Sequence, residues 1–208
     1  MNILSIDTTR SSYSLSVSKN NNISTYKDQS DIASSETILS EINNLVLRNN
    51  IKPSDINSVI YNNGPGSFTG VRVSSSIVQA IGFSNNCPVY GINSLMLDAY
   101  SLYSEKKIEK IQVVRKAFGD QFFHGLLTLS DKECSLDSKI STSTLDSIEF
   151  YSKYTLLTDL KDGIKNKHLI VENYIGSELL IEYYKKYSEK KSSFDYKDAL
   201  PSYAGHTI

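Results

Sequence analysis

Tryptophan is missing from this chain altogether, and cysteine nearly so. The only two thiols, Cys87 and Cys134, cannot build a disulfide framework and offer no zinc-ligand spacing, which fits a reducing compartment. No charge of one sign dominates: the formal net charge is −1. That balance argues against a strongly basic nucleic-acid binder, so any nucleic-acid contact must come from a local patch or a partner protein. No segment approaches the apolar length that spans a bilayer, and no membrane association is expected. The opening Asn2-Ile3-Leu4-Ser5-Ile6 reads as a strand, not as a basic stretch leading into an apolar signal core. Cytoplasmic location is the expectation. The plentiful Asn, Ser, Lys, Ile and Tyr read as an AT-rich coding bias rather than a functional signal. With 208 residues, 39% of them apolar and 22% charged, the chain is long enough for one large domain or two small lobes with a sizeable core.

What stands out is Gly64-Pro65-Gly66-Ser67-Phe68-Thr69-Gly70-Val71-Arg72. It follows the apolar run Val59-Ile60-Tyr61 and precedes a helical pattern through Val73, Ile77, Val78 and Ile81. A strand thus runs into a tight glycine-rich turn, and the turn opens a helix. Such a turn aims backbone N–H groups at whatever lies above it and lets another backbone come close. It is not a P-loop, because no lysine follows its last glycine. Nor is it a dinucleotide fingerprint, whose sixth place must be glycine and here is Thr69. A nucleophile elbow fails too, since Ser67 is flanked by Gly66 and Phe68. The simplest reading is a turn and a helix start capped by Ser67 or Thr69.

The wording of the loop resembles the signature of the TsaB (YeaZ) family, the small partner subunit in bacterial threonylcarbamoyladenosine modification of tRNA. Two further motifs share the resemblance. Ile3-Leu4-Ser5-Ile6-Asp7-Thr8-Thr9 is similar to the family's first strand, which ends in Ile-Asp-Thr, and Pro88-Val89-Tyr90-Gly91-Ile92-Asn93-Ser94-Leu95 to a later strand ending in Gly-Val/Ile-x-Ser/Thr-Leu. The three motifs fall in the family's order and span roughly the first half of the chain. The loop motif is highly specific; the other two would be weak alone.

The pattern predicts strands over 2–7, 13–18 and 22–27, the last two joined by a hairpin turn at Asn20-Asn21. A helix follows from about Ser34 to Arg48, with Ile38, Ile42, Leu45 and Val46 on one face and Ser34 or Ser35 as cap. A strand at 57–62, the glycine loop, a helix to about Gly82, a strand at 88–92 and a helix at about 94–104 complete the half. This order matches an α/β fold of the actin-like ATPase (ASKHA, RNase H-like) kind, as the resemblance also implies. Lys106-Lys107-Ile108-Glu109-Lys110 suggests a boundary, giving a first lobe over 1–105 and a reduced second lobe over 106–208. In the second, Ile111 to Val114 and Gln121 to Leu129 look like a hairpin, 156–158 and 169–171 like strands, and 175–187 like a helix.

In actin-like ATPases an aspartate at the end of the first strand holds the metal and phosphates. Asp7 occupies that place, yet Thr8-Thr9-Arg10 follows with no glycine, so Asp7 is expected to cap its own turn. The family usually has Asp-Ala-Arg in the hairpin that opens the second lobe. Here Arg115 takes the aspartate position and Ala117 the arginine position, and a cation cannot ligate Mg²⁺. His124, His168 and His206 form no His-x-x-x-His pair and read as structural or solvent-facing. Ser67 has no visible base, so no triad supports hydrolysis. The lysines at 161–167, 185–186 and 190–191 read as solvated surface with at most a weak RNA contact. Pro201-Ser202-Tyr203 is similar to the family's C-terminal Pro-x-Tyr-x-Arg, without the arginine.

Gly70, Ser74, Val78 and Gly82 recur every four residues, a narrow stripe that would let a second helix approach closely. The alternative is packing on the protein's own sheet. Helix 34–48 carries Leu39 and Leu47 off its main apolar face. The family pairs through these two helices. The expected interface is therefore Leu39, Ile42, Val46, Gly70, Ser74, Val78 and Gly82. Asp7, Gly64, Gly66, Ser67, Thr69 and Gly70 are the candidate residues for a nucleotide site shared with a partner subunit. The resemblance implies a non-catalytic subunit that binds a TsaD-type catalytic subunit and, with it, a TsaE-type ATPase. It implies a homodimer when the partner is absent, and ATP, Mg²⁺ and metal that belong to the partners. Two alternatives stay open: an actin-like small-molecule kinase that needs Asp7, and a stand-alone hydrolase using Ser67 or a metal.

Overall fold

The computed structural model describes residues 1–10, 12–28, 35–160, 169–171, 176–188 and 195–203. The chain divides into two compact units, Met1–Ser94 with Ile175–Ser202 and Leu95–Tyr174 with Tyr203–Ile208. The sequence suggests one crossing near 105. The backbone instead leaves the first unit after Ser94 and returns to it at 175.

The first unit is built on strands β1 (Ile3–Asp7), β2 (Tyr13–Lys19), β3 (Asn22–Asp28), β4 (Ser58–Gly64) and β5 (Val89–Asn93), ordered β3-β2-β1-β4-β5. The first three form an antiparallel meander, and β4 and β5 join in parallel. Asn20 and Asn21 turn β2 into β3 with φ of 51° and 67°, the left-handed pair a tight hairpin requires. Parallel β4 and β5 need a crossover, which helix α2 (Phe68–Asn85) supplies. Helix α1 (Ser35–Arg48) precedes β4. Its expected cap at Ser34 lies outside the described residues.

Strand alternation sends Leu4, Ile6, Leu15, Val17, Val59 and Val89 to one face, where they form the core with Ile38, Ile42 and Val46 of α1 and Ile77 and Val78 of α2. The opposite face of β1 and β2 is hydroxyl-rich. Helix α4 (Glu178–Tyr183) contacts it, and a π-helical turn continues over Tyr184–Ser188. Ser177 fastens the start of α4 there: its N–H donates to Ser14 Oγ at 2.8 Å, its carbonyl accepts from Ser5 Oγ at 2.8 Å, and its hydroxyl meets Ser16 Oγ at 2.7 Å. Each such bond contributes about 1 kcal/mol net, but leaving one of these buried hydroxyls unpartnered would cost more.

The second unit begins with Leu95 of helix α3 (Ser94–Lys106) and centres on strands β6 (Lys110–Lys116), β7 (Gln121–Leu129), β8 (Cys134–Leu136), β9 (Ser141–Thr144), β10 (Thr155–Thr158) and β11 (Leu169–Val171). The order is β11-β10-β6-β7-β8, and β9 also pairs with β7. Thus β7 has two short partners along one edge: β9 pairs with Gln121 to His124 and β8 with Leu127 to Leu129, leaving Gly125 and Leu126 without a ladder partner on that side. Both cysteines are free and buried. Among the described residues no helix is long and apolar enough to cross a membrane.

Candidate functional site

The glycine loop and the end of β1 form one hydrogen-bonded constellation. Asp7 is buried, and both carboxylate oxygens have partners within the chain. Oδ1 accepts from the Thr9 N–H at 2.8 Å and the Thr9 hydroxyl at 2.7 Å, and Oδ2 accepts from Asn62 Nδ2 at 2.8 Å. Asp7 therefore caps its own turn, the arrangement expected for an acidic residue followed by two threonines. Asn62, fully buried near the end of β4, is the hub. Its Nδ2 also donates to Thr9 Oγ1 at 3.1 Å, and its Oδ1 accepts from Gly64 N–H at 3.1 Å and Ser94 Oγ at 2.7 Å.

The loop glycines are needed where the chain meets itself. A Cβ on Gly66 would lie 2.5 Å from the Thr9 carbonyl oxygen, and one on Gly70 would collide with the Thr8 carbonyl. Gly64 has φ of +102° and stands over the Ser202 carbonyl oxygen, following which the Gly64–Pro65 peptide is cis. Across this approach Ser67 N–H donates to the Thr9 carbonyl at 2.7 Å, and Thr8 Oγ1 donates to the Gly70 carbonyl at 2.6 Å. Three of the loop's N–H groups are taken up within the chain. The N–H groups of Gly64, Ser67 and Gly70 already bond to Asn62, Thr9 and Ser67, and the Thr8–Thr9 backbone occupies the close-approach side.

Ser67 is the N-cap of α2: its exposed hydroxyl accepts from Gly70 N–H at 3.2 Å. Thr69 is exposed beside it. In the second unit Arg115 is buried and donates from Nε to Asp98 Oδ2 of α3 at 2.9 Å. The buried Arg115 cation is thus matched by an acid on the neighbouring helix. His124 lies on β7 with Nε2 3.1 Å from Ser143 Oγ, and burial pushes its pKa below the ordinary value. His168, His206 and the lysines at 161–167 and 190–191 lie outside the described residues. Lys185 reaches Asn21 Oδ1 at 3.1 Å, and Lys186 lies over the Tyr187 ring. No group of three or more His, Cys, Asp or Glu able to hold a metal occurs among the described residues.

The helix stripe requires a correction. Gly70, Ser74, Val78 and Gly82 are buried, as are Ile42 and Val46 of α1, so these six offer no surface to a partner. Their small size serves the unit itself. Gly70 lets α2 approach Thr8, Gly82 lets it approach Tyr196 and Val89, and Val78 joins the core. Of the expected interface residues only Leu39 is exposed, at 47%. The face of α2 that does meet solvent runs through Thr69, Arg72, Ser76, Ala80 and Phe83. It is small and nearly uncharged, with Phe68 and Phe83 exposed at its ends. The Arg72 guanidinium lies 3.5 Å from the Phe68 ring centre, and Phe83 packs edge-on to Tyr196 with ring centres 5.5 Å apart. Leu39, Asn43 and Leu47 form the exposed stripe of α1.

Spacing identifies small residues on α2, but two stripes two residues apart both qualify, and only the sheet decides which is buried. Asn62 is also absent from the sequence expectations. The one signal for it is a polar residue continuing the apolar run Val59-Ile60-Tyr61, which reads equally as the start of the turn.

Residues 28–115 match the family model of TsaD, tRNA N6-adenosine threonylcarbamoyltransferase. The chain is 31% identical over 123 residues to the tRNA threonylcarbamoyladenosine biosynthesis protein TsaB of Buchnera aphidicola from Schizaphis graminum, covering 59% of each chain. It is 22% identical over 183 residues to that of Buchnera aphidicola from Acyrthosiphon pisum, covering 83% of this chain and 82% of the relative. With the Escherichia coli TsaB it shares 26% identity over 111 residues, 53% of this chain and 48% of the relative. Two of these three matches thus span only about half to three fifths of the relative's length. The solved structure of YeaZ from Pseudomonas aeruginosa superposes with a TM-score of 0.83 at 18% identity, covering 97% of this chain and 99% of that one. At that identity the likeness speaks to the fold, which is the actin-like, RNase H-like α/β fold expected from the order of elements.

Proposed function

We propose that this chain, a relative of the TsaB (YeaZ) proteins in sequence and in fold, is a subunit of a cytoplasmic complex that makes threonylcarbamoyladenosine in tRNA. Its task in that reading is to bind a TsaD-type catalytic subunit, with a TsaE-type ATPase joining the pair. The observation that carries the reading is the solvent face of α2. A folded domain that leaves Thr69, Ser76, Ala80 and Phe83 exposed in line, with Arg72 the one charge, presents a surface of small and apolar groups suited to another helix. Leu39 and Leu47 of α1 add exposed apolar area. In the absence of the partner the same face would meet its own copy, giving a homodimer.

The closed glycine loop favours a scaffold over a phosphotransferase. Asp7 has its carboxylate occupied by Thr9 and Asn62, and the loop glycines face Thr8 and Thr9. Under this proposal ATP, Mg²⁺ and the catalytic metal belong to the partner subunits, and tRNA is contacted weakly or through them.

The test is light scattering on a sizing column, with the chain alone and mixed with a TsaD-type subunit from the same organism. Each is repeated with Ser76→Arg plus Ala80→Arg, on the exposed stripe. A one-to-one complex lost in the double variant, whose circular dichroism is unchanged, is the expected result. Substitutions at Ser74 or Val78 would not serve, because those residues are in the interior. No complex under any condition, with ATP and Mg²⁺ included, would overturn the proposal and bring the kinase and hydrolase readings forward.

A further inference from the structure

The second unit contains a cavity, lined mostly by polar residues, that the proposed role does not use. Its volume is about 360 Å³, within the range of small-molecule sites, and its lining includes Gln112, His124, Leu126, Lys139, Glu149 and Tyr151. It exists because of how β7 is paired. Where β9 stops and β8 has not begun, the chain at 137–140 leaves the ladder. It is held by Asp137 N–H donating to the Leu126 carbonyl at 2.8 Å and Leu126 N–H donating to Ser138 Oγ at 2.9 Å. Strand register puts Gln112 opposite Leu126 and Val114 opposite His124, so Gln112, Leu126 and His124 share the face on which the cavity opens.

The walls are fixed by the protein. Buried Gln112 donates from Nε2 to the Glu149 carbonyl at 2.7 Å and accepts at Oε1 from Tyr151 N–H at 3.2 Å, pinning the segment 149–151. The Tyr151 hydroxyl donates to Glu149 Oε2 at 2.7 Å, which orients that carboxylate. His124 bonds through Nε2 to Ser143, and its Nδ1 has no protein partner among the described residues. Burial favours the neutral ring.

Two opposite charges, Lys139 and Glu149, both solvent-exposed, line this one cavity. A purely anionic ligand would meet the like charge of Glu149, and a purely cationic one that of Lys139. A ligand carrying both charges satisfies both walls, with the His124 ring free to bond a polar group between them. We propose that the cavity binds a small zwitterion of the free amino-acid class, its carboxylate on Lys139 and its ammonium on Glu149. The wall at 149–151, held by Gln112, is in place before a ligand arrives.

The experiment uses the full chain and follows the ring signals of His124 by NMR, assigned by their loss in His124→Gln. The probes are L-serine, L-valine and L-glutamine as zwitterions, L-serinamide as cation only and L-lactate as anion only, at constant ionic strength. Saturable shifts with at least one zwitterion and none with serinamide or lactate are expected. Lys139→Met and Glu149→Gln, both at exposed positions, should each weaken binding by about tenfold or more, while Lys132→Met should not. Absence of saturation with all three zwitterions overturns the proposal. So does equal binding of lactate or serinamide, or equal weakening by Lys132→Met.

Discussion

The Asp7–Asn62 network of the first unit and the Gln112–His124 cavity of the second are made of the same kinds of side chain: a carboxylate, an amide, hydroxyls. They differ in what those groups do. In the first, Asp7, Thr9, Asn62 and Ser94 bond to one another or to nearby backbone, and three glycines bring the chain close enough to close the set. In the second, Gln112 closes one wall while His124, Lys139 and Glu149 line a void. The motif that looks most like chemistry in the sequence has much of its polar capacity taken up within the chain. The region with no motif surrounds the void. Capacity to bind is a matter of unmatched donors and acceptors in a preformed space, not of glycine content.

That contrast can be broken most directly at Gly70. Gly70→Ala places a Cβ against the Thr8 carbonyl, a backbone atom that cannot swing aside. The expected loss is about 3 kcal/mol or more of unfolding free energy in a urea titration, or failure to fold. Retention of stability within about 1 kcal/mol would mean the loop is not closed on the Thr8–Thr9 turn. Asn62→Leu is expected next, at about 2–3 kcal/mol, because it removes a donor to Asp7 inside the unit and orphans Gly64 N–H. Gln112→Ala in the second unit should cost only about 1–2 kcal/mol, since the freed Glu149 carbonyl and Tyr151 N–H lie beside a polar cavity that water can enter. A larger loss at Gln112 than at Asn62, read from the same titrations, would reverse the comparison.

The smallest expected effect concerns pH. Burial holds the folded-state pKa of His124 below its ordinary 6.5, so the unfolded chain takes up a proton first as pH falls. The stability owed to the neutral ring is full above about 6.5 and declines as pH drops from there toward the folded-state value. His124→Gln should flatten that segment of the stability–pH curve, measured by thermal melts through weakly acid pH. An unchanged slope would mean that His124 titrates alike in both states.

Much of the fold was legible in the sequence because the signals are local. The period-two run at 13–18, the Asn20-Asn21 turn and the apolar run into the glycine loop each name an element without reference to any other. Strands β8 and β9 were not, since Ser141 to Thr144 offers no apolar alternation and exists as a strand only because β7 has a free edge. The site shows the same division. Asp7 and Ser67 were readable as caps from their immediate neighbours. Asn62 was not, because its partners are Asp7, Thr9, Gly64 and Ser94, and all but Gly64 are remote in sequence. The α2 stripe failed for the same reason: 3.6-residue periodicity gives faces, and the sheet chooses among them.

Ser177 joins a sheet whose five strands all come before residue 94, and the order of synthesis gives that join a consequence. As the nascent chain leaves the ribosome, β1 to β5 and both core helices are available early, but the hydroxyls of Ser5, Ser14 and Ser16 face water until α4 emerges. The serines make that wait harmless. A row of hydroxyls stays hydrated where a row of valines would invite clumping with other growing chains, and the first unit can persist half-finished until α4 is translated.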